Sequence, residues 1–100
     1  MNSREYGTVS ATPVILSMPM GDGKEWSTIT VTVIPGAGNT SLCEFSTSSQ
    51  ADIETGAATW QAWPSGTVAV TTNDYTRSKV SGLRFTRVTG VSDDHYEVIS

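Results

Sequence analysis

The chain has 100 residues and a mass of 10.6 kDa, room for one domain around one hydrophobic core. A net charge of −4 and a pI near 4.6 argue against a broad nucleic-acid or anionic-membrane surface. No apolar run approaches the roughly 20 residues a membrane-spanning helix needs. The one cysteine, Cys43, excludes an internal disulfide framework and a cysteine-rich zinc site, and the one histidine, His95, excludes paired-histidine metal motifs. Polarity resides in 15 Thr and 13 Ser, with only 16% charged residues. Beside the threonines stand 10 Val and 5 Ile, a β-branched composition that favours pleated sheet over long helices.

Residues 1–12 are polar and turn-rich and read as an N-terminal arm, with the domain proper over 13–100. The first six residues, Met1 to Tyr6, lack the basic start and apolar core of a secretion signal. Val14-Ile15-Leu16 is a short apolar run, ended by the turn-forming Pro19-Met20-Gly21-Asp22-Gly23. Glu25 to Ile34 is the clearest strand. Ile29, Val31 and Val33 fall on one face and Thr28, Thr30 and Thr32 on the other, the period of two of a half-buried antiparallel strand.

Pro35 to Asn39 is a turn, and Thr40 to Thr47 returns with Cys43 and Phe45 pointing inward and Leu42 and Glu44 outward, or the reverse if a bulge intervenes. Ser48 to Gly56 reads as one helical turn or a loop that closes over the core by Ile53. Ala58 to Trp63 alternates again and is expected to set both tryptophans on one side of a short strand. Pro64-Ser65-Gly66 turns, Thr67 to Thr72 is another strand, and Asn73-Asp74 opens a loop running through Arg77 and Lys79. Val80 to Thr89 is a strand with Leu83 and Phe85 inward and Arg84 and Thr86 outward. His95 to Ile99 closes the sheet as an edge strand. The pattern predicts an all-β fold, a single-domain antiparallel β-sandwich of about seven short strands.

Few residues offer chemistry. His95 follows Asp93 and Asp94, yet no motif marks a nucleophile for a His–Asp pair to activate, so a polar turn before a strand histidine is the preferred reading. Cys43 has Glu44 beside it and no cationic neighbour, which favours a buried structural thiol. Asp22, Asp52, Glu54, Asp74, Asp93 and Asp94 read as loop carboxylates without the dense spacing of a calcium loop. No catalytic, cofactor or metal residue is therefore assigned. Two groups are candidates for an interface. Trp60 and Trp63, with Trp26, serve a core or subunit contact ahead of a sugar-stacking platform. Arg77, Lys79, Arg84 and Arg87 gather four of the six basic residues into a strip suited to an acidic patch on a neighbouring protein.

Taken together, Thr30-Val31-Thr32-Val33-Ile34-Pro35-Gly36-Ala37-Gly38, the Trp60-Gln61-Ala62-Trp63-Pro64-Ser65-Gly66 segment, Val80 to Thr86 and the terminal Tyr96-Glu97-Val98-Ile99 resemble small all-β proteins encoded among the virion genes of tailed bacteriophages. The likeness covers roughly residues 28–99, and Trp-x-x-Trp-Pro-x-Gly is its most distinctive part. It implies a non-enzymatic virion component made in the host cytoplasm. The foremost expectation is a head decoration (cement) protein on the major capsid protein; an accessory subunit of tail or fibre is the alternative, and a carbohydrate-binding β-sandwich module a further one. The expected partners are capsid or tail subunits and further copies of the chain, with the Thr-rich face and the polar arm as docking elements. No nucleic acid and no membrane is expected, and carbohydrate ranks behind protein.

Overall fold

β-Branched side chains are stiff about χ1 and pack well on a pleated surface. They make up the whole of β3 (Ile29–Ile34) and recur in every other strand of the computed structural model, which describes residues 4–17, 29–76 and 80–99. Eight strands and one short helix follow one another there: β1 (Arg4–Val9), β2 (Val14–Ser17), β3 (Ile29–Ile34), β4 (Thr40–Ser46), α1 (Gln50–Thr55), β5 (Gln61–Val68), β6 (Thr72–Thr76), β7 (Gly82–Thr89) and β8 (Asp94–Ile99).

Their pairing has a simple rule. β1 lies antiparallel to β8, β2 to β7, β3 to β6 and β4 to β5. The chain is one long two-stranded ribbon doubled back between β4 and β5. It is rolled so that β8 also pairs with β3 and β7 with β4. Two four-stranded sheets result, ordered β1-β8-β3-β6 and β2-β7-β4-β5. This is the strand order of a jelly roll. The all-β antiparallel sandwich holds, with eight strands in place of about seven.

Between the sheets lie Val9, Ile29, Val31, Val33, Tyr96 and Val98 of the first and Cys43, Trp63, Leu83 and Phe85 of the second, all buried. Phe85 and Tyr96 stack across the gap, with centroids 4.3 Å apart and planes 8° from parallel. The Tyr96 ring lies where a Cβ on Gly7 would be, so a side chain at that position would push the ring out of the stack. Burial, and then the charge of Glu5, raise the Tyr96 phenol above its ordinary value.

Several local expectations are corrected. Residues 4–9, expected in the polar arm, form β1 along the whole of β8, with Val9 in the core. β8 therefore lies inside its sheet and is not an edge. Pro64-Ser65-Gly66 does not turn the chain but runs within β5. That strand is the sheet's edge and tolerates a proline and a register shift opposite Leu42 and Glu44. Asn73 to Thr76, read as the opening of a loop, belong to β6, and the rest of that loop, through Arg77 and Lys79, lies outside the described residues.

The uncertain Ser48–Gly56 stretch is α1. Ser49 caps it by accepting from the Asp52 amide at 3.2 Å, and Gly56 ends it with φ of 82°. Ile53 is buried, but on the outward side of the second sheet. A Cβ on Gly82 would lie 2.9 Å from Ile53 Cδ1 and 3.2 Å from the Trp60 ring, so the bare glycine is the seat on which the helix rests. Replacing Ser49 with alanine is expected to cost about 1 kcal/mol in chemical denaturation, since one orphan amide of a six-residue helix loses its acceptor.

Candidate functional site

Strand alternation decides what the candidate residues can do. Trp60 and Trp63 are three positions apart and so point to opposite sides, which overturns the expectation that they share one. Trp63 is 4% exposed and meets Phe45 edge-on at 6.0 Å within the core. Trp60 lies outside, over the Arg84 guanidinium at 4.8 Å from the ring centroid. Arg84 in turn donates to Glu44 Oε1 through Nε at 2.9 Å and Nη2 at 2.8 Å.

The basic strip divides by the same rule. Arg87, three residues on from Arg84, donates to the Ser92 carbonyl at 3.0 Å, tying the β7–β8 connection. Arg84 is neutralised by Glu44, and Arg77 and Lys79 lie outside the described residues, as does Trp26. The structure thus brings Trp60 and Arg84 together on the outward face of the second sheet, and neither Trp63 nor Arg87 joins them.

His95 and Asp94 are neighbours in sequence and strangers in space. His95 turns outward, its ring stacked on Tyr6 at 5.9 Å and its Nδ1 3.2 Å from Thr8 Oγ1. Asp94 turns inward and is 1% exposed. Its Oδ1 accepts from the Gly36 amide at 2.7 Å and from Asn39 Nδ2 at 2.8 Å, and its Oδ2 accepts from the Ser41 hydroxyl. Asn39 Nδ2 also donates to Ser92 O at 2.6 Å, so one carboxylate locks the β3–β4 turn to the β7–β8 connection. Burial works to raise the Asp94 carboxyl; the bonds from Gly36, Ser41 and Asn39 and the charge of Arg87 outweigh it and hold it below the ordinary value.

The other carboxylates are dispersed. Asp52 and Glu54 ride on α1, and Asp74, in β6, accepts from Ser65 at 2.9 Å. Among the described residues, no group of three or more His, Cys, Asp or Glu is placed to hold a metal ion. Cys43 faces the core as expected. Burial first, then the charges of Glu44 and Asp74, push its thiol far above the usual range. It is expected to resist a thiol reagent such as DTNB in the native protein at pH 8 and to react stoichiometrically once the chain is unfolded. Fast labelling of the native chain would contradict this placement.

The outward face of the first sheet escaped the sequence reading, apart from its threonines. Register sets two rows across it: Arg4, Ile99, Thr30 and Tyr75, then Tyr6, Glu97, Thr32 and Asn73. Tyr6 and Tyr75 are 59% and 62% exposed, at opposite edges of the sheet. Arg4 and Glu97 form an ion pair, so these two rows carry no net charge. No protein-family model, no curated protein and no solved structure matches the chain, so the site rests on this geometry alone.

Proposed function

We propose that the chain is a non-enzymatic structural component of a tailed-phage virion, a head decoration protein that binds the major capsid protein. One observation carries the reading. The groups with chemical potential are spent on stability, Cys43 within the core and Asp94 in a buried knot, while broad sheet faces are left for contact. The Trp60-to-Gly66 segment and its resemblance to virion-encoded β proteins point the same way. Jelly rolls occur in viral shell proteins and in lectins alike, so the faces and not the fold are the ground for choosing. A small domain also gains stability from surface buried on a symmetric lattice.

Mass spectrometry of purified virions, separated into heads and tails, tests this. The chain is expected in the head fraction at a copy number commensurate with the capsid lattice. Its presence with tails alone would replace cement by a tail accessory, and its absence from both would end the reading.

A further inference from the structure

We propose that the outward face of the β1-β8-β3-β6 sheet binds a neutral glycan chain, with Tyr6 and Tyr75 as its stacking platforms. The proposal stands independently of the virion reading.

Two observations argue for this occupant. The first is charge: the chain carries −4, yet the two rows that span this face sum to zero because Arg4 and Glu97 cancel. The second is chemistry. Two exposed tyrosines lie three strand spacings apart across the sheet and two residues apart along it, about 16 Å, and each offers an apolar ring with a hydroxyl tip, Tyr6 through the ring face that His95 leaves open. Between and beside them stand the Thr30 and Thr32 hydroxyls, the Asn73 amide and the Arg4–Glu97 pair. Planar amide, guanidinium and carboxylate groups suit adjacent hydroxyls, and the rings suit the C–H faces of a sugar.

On the opposite face α1 occupies one end and the Trp60 ring is half-buried over Arg84.

Affinity electrophoresis of the purified chain through native gels containing dextran, mannan, galactomannan or amylose tests the proposal. Retardation by at least one polysaccharide is expected. Tyr75→Ala should weaken it about tenfold, the effect of losing a principal aromatic contact. Thr32→Val, which removes a hydroxyl from the middle of the face, should weaken it severalfold. Trp60→Ala, on the far side, should leave it unchanged. The proposal is overturned by no retardation in any of the four gels, or by retardation indifferent to both face variants or abolished equally by Trp60→Ala. A dimer in sedimentation equilibrium that Tyr75→Ala dissociates would also overturn it, because the face would then belong to a second copy.

Discussion

Asp94→Ala is expected to destabilise the chain by about 3–5 kcal/mol, the range for breaking a buried charged network. The substitution strands the Gly36 amide and the Ser41 hydroxyl without an acceptor in a buried site and leaves the Asn39 side-chain amide with the Ser92 carbonyl alone. Small domains are stable by only about 5–15 kcal/mol, so the loss approaches the whole margin. Asp94→Asn keeps one acceptor oxygen and can donate to Ser41, so about 1–2 kcal/mol is expected.

The pH dependence has a definite sign. A carboxyl held below its unfolded value contributes stability that is present above about pH 3.9 and lost as pH falls through the folded value. The difference between wild type and Asp94→Asn should therefore be full near neutrality and narrow below about pH 4. Urea denaturation at a series of pH values checks this; a constant gap down to pH 2 would mean that Asp94 does not titrate with folding.

The second large effect separates two residues that composition treats alike. Trp63→Ala is expected to cost about 3–5 kcal/mol, because it opens a large cavity beside Phe45 in the core. Trp60→Ala removes a half-buried ring and one cation–π contact with Arg84, for which less than about 1.5 kcal/mol is expected. Equal losses in chemical denaturation would contradict their assignment to opposite sides of the second sheet.

Much of the sandwich was legible wherever one face of a strand is apolar. Ile29, Val31 and Val33 announced β3, Leu83 and Phe85 announced β7, and Cys43 was placed inward. Legibility failed where packing does not demand apolar alternation. β1 presents a glycine to Tyr96 and anchors itself by Val9 alone in the core, so its sequence looks like a polar arm. β6 sets Thr72 and Asp74 at positions paired with the buried Val33 and Val31, and its polarity reads as a loop. In β5, Pro64 and Gly66 imitate a turn because an edge strand has no outer neighbour to object.

The Asp94 knot was invisible for a different reason. Its partners lie 53 to 58 positions away, and only the roll of the ribbon brings them together. The tyrosine face was likewise hidden, because Tyr6 and Tyr75 sit in the two strands that polarity disguised.

The proposal to be tested is that this molecule works by contact on a viral shell. A side-chain-resolution cryo-EM map of the purified particle tests it most directly. The claim predicts this jelly roll seated on the outside of the capsid in symmetric copies, with its core intact and an outward surface against the major capsid protein. A map whose shell density is fully accounted for by other chains, with none left for this fold, would contradict it.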